Sequence, residues 1–141
     1  MEGYKVSYKI DGEDFAAAGE ASRNLKKVLN QLGVPHTVIR KATIAMYEGE
    51  INMVIHADGG TIDVTVSQDA IKMILKDKGP GIKNISLAMT EGYSTASEEV
   101  RQLGFGAGMG LPNMKKYTDY FNIETEVGVG TTLEMIVNIT K

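Results

Sequence analysis

Thr61-Ile-Asp-Val-Thr-Val-Ser67 and Ala70-Ile-Lys-Met-Ile-Leu-Lys76, separated by Gln68-Asp69, decide the architecture of this chain. In the first segment Ile62, Val64 and Val66 alternate with polar residues; in the second Ile71, Met73 and Leu75 do the same. A period of two marks a half-buried strand, and a two-residue gap joins two such strands as a hairpin. The hairpin comes directly after two helical segments. That order breaks the strand–helix alternation a parallel sheet requires.

Upstream, Tyr4 to Ile10 alternates Tyr4, Val6, Tyr8 and Ile10 against Lys5, Ser7 and Lys9, and predicts another strand. Asp11-Gly-Glu-Asp14 is a turn able to cap the next helix. Phe15 to Leu32 predicts that helix, amphipathic, with Leu25, Val28, Leu29 and Leu32 on one face, stopped by Gly33. Pro35 suits the first turn of a second helix, because its missing N–H is not needed there. This helix runs to about Ala57, with Val38, Ile39, Ala42, Ala45, Met46, Met53 and Val54 as its apolar side.

Downstream of Asp77 the periodicity is lost. Lys78 to Gly104 is rich in Gly, Ser, Thr and charge, with one helical turn suggested near Ile85–Met89. A poorly periodic stretch of this length points to a lid or a disordered segment. Leu111 to about Tyr120 predicts a helix opened by Pro112. Asn122–Glu126 and Thr132–Ile139 predict a last hairpin turned at Val127-Gly-Val-Gly130. The expected fold is α+β: a two-layer sandwich of a mixed, mostly antiparallel sheet with helices on one face. A single domain over residues 1–141 is expected.

The bulk composition narrows the function. The 141 residues, 43% hydrophobic, suffice for a real core. The net charge is −3 without a dense basic run, so neither nucleic acid nor a membrane surface is the expected partner. There is no cysteine, which excludes disulfides, thiol catalysis and zinc–thiolate sites. The N-terminus lacks the basic-then-apolar order of a signal peptide, so a cytoplasmic location is expected.

Three features carry chemistry. Glu48 and Asn52 are four apart and stack on one face of the second helix, with His56 one turn further on. An amide oxygen is a reasonable Mg²⁺ ligand, and a carboxylate one turn away could accept a proton from a hydroxyl. Glu50 projects about 200° from Glu48 and is no equal candidate. Asp77 ends a strand and opens Asp77-Lys-Gly79-Pro-Gly81-Ile82, where a carboxylate could read an exocyclic amino group and the glycines admit a ligand to the main chain. Gly104-Phe-Gly106-Ala-Gly108-Met109-Gly110-Leu111 leads into a helix, the place an anion such as a phosphate chain would take. Taken one at a time, each has a plain alternative: a solvated helix face, a turn after a strand, a flexible hinge. The P-loop and the dinucleotide fingerprint are both absent.

Together these features resemble the GHKL (Bergerat-fold) ATPases: histidine-kinase catalytic domains, type II topoisomerase and chaperone ATPases, and bacterial anti-sigma serine kinases. Glu48-x-x-x-Asn52 resembles the N-box, with His56 where anti-sigma kinases also place a histidine. Asp77-x-Gly79-x-Gly81 resembles the G1 box and Gly106-x-Gly108-x-Gly110-Leu111 the G2 box. Gly128-Val-Gly130-Thr131 is similar to the family's final turn, whose threonine helps the aspartate hold adenine. The boxes occur in order over roughly residues 35–137. Glu91-Gly-Tyr-Ser-Thr95 and Gly110-Leu-Pro-Asn-Met-Lys-Lys116 look most like the small anti-sigma-factor serine/threonine kinases of the switch-kinase type.

The resemblance implies ATP with Mg²⁺ as ligand, Asn52 on the metal and Glu48 as base toward a serine or threonine hydroxyl. It places Ile82, Thr95 and Met109 among the nucleotide-binding residues and an ATP lid at about residues 83–105. It implies a sigma factor or antagonist (stressosome-type) protein as partner, and allows a homodimer. Two other readings stay open: a non-catalytic ATP-dependent binding module, and a stand-alone histidine-kinase catalytic domain. The acidic segment Ser97–Leu103 makes the lid longer than expected of close relatives and bears on the partner more than on ATP.

Overall fold

In a computed structural model of the chain, the residues described are 3–12, 17–56, 59–79, 81, 89 and 110–140. They form β1 (Tyr4–Asp11), α1 (Glu20–Gln31), α2 (His36–His56), β2 (Gly59–Val66), β3 (Ala70–Asp77), α3 (Gly110–Lys116), β4 (Tyr120–Glu126) and β5 (Gly130–Asn138). The strands make one sheet in the order β1-β2-β3-β5-β4. The expected α+β fold with a mostly antiparallel sheet is borne out; among the described residues every pairing is antiparallel, so the parallel pair that "mixed" allowed for is not formed there. The reason is the connections. β2–β3 and β4–β5 are hairpins, and the remaining links let β1 and β5 run against their neighbours.

The β2–β3 hairpin forms where the alternation placed it. The Ser67 N–H donates to the Ala70 carbonyl at 2.9 Å, leaving Gln68 and Asp69 as the turn. Ile62, Val64, Val66, Ile71, Met73 and Leu75 all face the core, joined by Leu133, Met135 and Val137 of β5. The other sheet face carries Ser7, Asp63, Lys72 and Glu134. There Ser7 donates to Asp63 at 2.6 Å, and Lys72 pairs with Glu134 at 3.6 Å.

α2 supplies the helical half of the core with all seven apolar residues named from its sequence, together with Ile51. It begins at His36 rather than at Pro35. The Pro35 carbonyl accepts the N–H groups of Val38 and Ile39, so the proline caps the helix instead of filling its first turn.

α1 is shorter than expected, starting at Glu20 behind a left-handed Gly19. Its far end closes as a Schellman motif: Val34 N–H donates to Leu29 C=O and Gly33 N–H to Asn30 C=O, with Gly33 at φ +76°. Leu32, the C-cap residue with helical backbone angles, is 45% exposed while Leu25 and Leu29 are fully buried. Tyr8 of β1 donates to the Asn24 side chain of α1 at 2.7 Å; burial, then the neighbouring Tyr4 and Glu50, push its hydroxyl pKa up to about 12. α3 stops at Lys116, because Tyr120 is already committed to β4 opposite Ile136.

Candidate functional site

α2 crosses the sheet at Gly49. A methyl group at that position would lie 2.2 Å from Leu75 Cδ2 and 3.5 Å from Met114 Sδ. The missing side chain therefore lets α2, β3 and α3 meet at one point. Glu48 adjoins it on α2, Asn113 adjoins it on α3, and Asp77 lies two residues beyond Leu75 on β3. Gly49→Ala should push the buried Leu75 out of place and cost about 1–3 kcal/mol, as overpacking of a filled core does. Urea unfolding measures this, and an unchanged midpoint would contradict the packing argument.

Glu48 and Asn52 are both half-buried on α2. The Asn113 amide donates to Glu48 Oε1 at 3.5 Å. Burial raises the Glu48 carboxyl above its ordinary range, and the Asn113 hydrogen bond opposes this in part. A carboxylate with a raised pKa holds a proton more readily, which suits a group that must take one up. His56 is the last residue of α2; its side chain lies outside the described residues.

Glu50 points the other way, as its angular position predicts, and is 2% exposed. Its carboxylate accepts from Gly19 N at 2.9 Å, Ala21 N at 3.2 Å, Ser22 N at 3.1 Å and Ser22 Oγ at 2.8 Å. α1 has no side-chain cap of its own. Glu50 thus caps it from another helix, satisfying N–H groups that every helix start leaves open.

Asp77 ends β3 directly opposite Thr131 of β5. Its Oδ1 accepts the N–H of Gly79 at 2.9 Å and of Thr131 at 3.2 Å. No hydrogen bond engages Oδ2 among the described residues. Thr131 is buried, with its hydroxyl 2.9 Å from that of Thr125. Gly81, at φ +80°, sits where a methyl group would come 2.6 Å from the Glu126 carbonyl, so the loop leaving Asp77 lies closely on the β4–β5 hairpin.

The structure therefore brings Asp77, Gly79, Gly81 and Thr131 into one cluster, and places Glu48 and Asn52 on the helix that packs beside it. Gly110 opens α3 and Leu111 is buried in the core. Ile82, Thr95, Gly106, Gly108 and Met109 lie outside the described residues, as does the lid at 83–105 apart from Met89, which packs against the core. Sequence reasoning missed Gly49 and Asn113. A glycine between two glutamates inside a helix was the available signal for the first. Nothing local distinguishes the second.

Among the described residues no helix is long and apolar enough to cross a membrane. Residues 40–141 match the family model described as histidine kinase-, DNA gyrase B-, and HSP90-like ATPase. The chain is 32% identical over 127 residues to the serine/threonine-protein kinase RsbT of Bacillus subtilis, covering 87% of each. It is 30% identical to an anti-sigma F factor of Anoxybacillus flavithermus, covering 92% of this chain and 86% of that one. In fold it resembles a structure of the RsbU and RsbW domains of a Mycobacterium tuberculosis protein. The TM-score is 0.66 at 15% identity, over 98% of this chain and 33% of that one. A mycobacterial sensor histidine kinase, MprB, gives a TM-score of 0.55 at 13% identity, over 97% of this chain and 99% of that one. A family match over residues 40–141, on the same span that carries Glu48, Asn52, Asp77 and Thr131, establishes that the chain belongs to the histidine kinase-, DNA gyrase B-, and HSP90-like ATPases.

Proposed function

We propose that this protein is an ATP-dependent serine/threonine kinase of the anti-sigma regulatory type, acting on an antagonist protein of a sigma-factor or stress-signalling system. The observation that supports it most is the Glu48 carboxylate: half-buried, raised in pKa, with one oxygen held by Asn113 and standing one turn from Asn52. A module that only binds nucleotide has less use for a base in that state. The similarity to RsbT and to an anti-sigma F factor supports the same reading.

The residues fit the ligands. Asp77 has one oxygen fixed by two main-chain N–H groups and the other open toward an amino group, which suits adenine. Among the described residues no cluster of three or more His, Cys, Asp or Glu could hold a metal ion unaided. Asn52 would hold Mg²⁺ through its amide oxygen, a hard donor of the kind Mg²⁺ prefers. ATP with Mg²⁺ supplies the phosphoryl group and neutralises its charge. Glu48 orients the acceptor hydroxyl and takes its proton. Asp77 and Thr131 fix the base end, Gly79, Gly81 and Ile82 line it, and Thr95, Gly106, Gly108, Met109, Gly110 and Leu111 belong to the phosphate side under the lid. His56, at the end of α2, is assigned to the nucleotide-binding residues as well. We assign the chain to the cytoplasm, and the reading allows a homodimer.

Asp77→Asn should weaken ATP and ADP by about 10- to 100-fold while leaving weaker, non-adenine nucleotides nearly unchanged, since only the amino-group contact is lost. Calorimetry with ATP and GTP separates this from a general collapse of the loop, which would weaken both alike. The function itself is tested by incubating the protein with Mg-ATP and candidate antagonist proteins encoded beside it. Acid-stable phosphate on serine or threonine is the expected product. Acid-labile phosphate would instead indicate a histidine kinase, and binding without transfer would leave an ATP-dependent binding module.

A further inference from the structure

We propose that Asn113 is a positioning residue that fixes the orientation of the Glu48 carboxylate, so that the base is set by the helix leading out of the phosphate loop. The inference rests on the kinase reading of Glu48 and deepens it.

A carboxylate accepts hydrogen bonds and cannot donate, so the Asn113 amide must turn its NH₂ toward Glu48, as it does at 3.5 Å to Oε1. Among the described residues no hydrogen bond engages Oε2. One oxygen is therefore anchored and the other is left for an incoming hydroxyl. A glutamate side chain rotates about several bonds unless its surroundings hold it, and Asn113 is the polar group that holds this one.

The backbone behind Asn113 is anchored by packing. It occupies the fourth position of α3, and the next residue, Met114, is fully buried against Gly49. Asn113 also lies three residues, one helical turn, from Gly110, the last glycine of the loop assigned to the phosphates. A change in the seat of α3 would reach the Glu48 carboxylate oxygen directly through this amide. The separation of 65 residues between the two partners explains why no sequence pattern reveals the pair.

The experiment compares Asn113→Ala, Asn113→Asp and Asn113→Gln in the full chain. The aspartate variant keeps the shape, removes the donor and adds a like charge. The glutamine variant restores an amide. Phosphoryl transfer should fall about 10- to 100-fold in kcat for Ala and at least as far for Asp, with KM for ATP within about twofold, as for a misaligned but still bound reactant. Gln should recover most of the loss. A purely structural role predicts a different pattern: KM rising together with the fall in kcat, and Asp outperforming Ala. Either that pattern or an unchanged kcat would overturn the proposal. A second readout does not depend on activity. The carboxyl carbon-13 resonance of Glu48, assigned by its loss in Glu48→Gln, should move in the Ala and Asp variants and return in Gln. A resonance that stays in place in all three would overturn the proposal. If the unsubstituted protein transfers no phosphate, the kinase reading fails, and the resonance still decides whether Asn113 orients Glu48.

Discussion

Glu50→Ala should be the most destabilising single substitution in α2, lowering stability by about 3–5 kcal/mol. Four donors converge on this one buried carboxylate, three of them main-chain N–H groups at the start of α1. Alanine would strand those donors in a dry site and remove the negative charge that the start of the helix favours. For a chain of 141 residues the expected fall in Tm is about 10–15 °C. Glu50→Gln keeps the size and one acceptor oxygen, so it should recover part of the loss. Thermal unfolding monitored by circular dichroism gives the answer. A Tm unchanged in Glu50→Ala would mean that α1 does not depend on α2 for its cap.

Glu48→Gln should have the opposite profile. The amide cannot take a proton, so transfer to a serine or threonine should drop by about 10²–10⁴-fold, the usual worth of a positioned base. Nucleotide binding should persist, because Asn52, Asp77 and Thr131 are untouched. Stability should rise slightly. Burial holds the Glu48 pKa above its unfolded value, so the ionised form opposes folding at neutral pH. That penalty is fully present above the folded pKa and vanishes as the pH drops below the ordinary glutamate range. The Tm advantage of Gln should therefore appear at neutral pH and fade on acidification. Two glutamates two residues apart on one helix would thus differ in kind: Glu50 supports the fold, and Glu48 strains it slightly for the sake of chemistry.

Much of this is legible in the chain. Alternation in Thr61–Lys76 locates a hairpin that the structure forms about the same Gln68-Asp69 turn, with β2 starting two residues earlier and β3 ending one later, and the apolar spacing of α2 names its buried side. A period-two pattern reports which face is inward, but not which strands become neighbours; hence the sheet's full antiparallel order emerges only in three dimensions. Local signals mislead where a distant group decides. The acidic turn before Phe15 suggests a helix start there, whereas Gly19 and the remote Glu50 set the start of α1. Leu32 fits the helical stripe, yet at the C-cap, past the last buried contact of α1, it faces solvent.

At the site, motif spacing picks out Asp77 and Thr131, and the β3–β5 register puts them opposite each other. Spacing does not show that Gly49 is the point where three elements touch, nor that Asn113 reaches Glu48. Both are facts of packing between segments far apart in sequence, and packing leaves no period.

The most direct test of the account measures ATP affinity and phosphoryl transfer side by side in the unsubstituted protein and in Glu48→Gln. The account predicts the same Kd for Mg-ATP within about twofold, together with acid-stable phosphate on a serine or threonine made at least about 100-fold more slowly by the variant. Transfer at full rate by Glu48→Gln, or no transfer by either protein despite intact ATP binding, would contradict it.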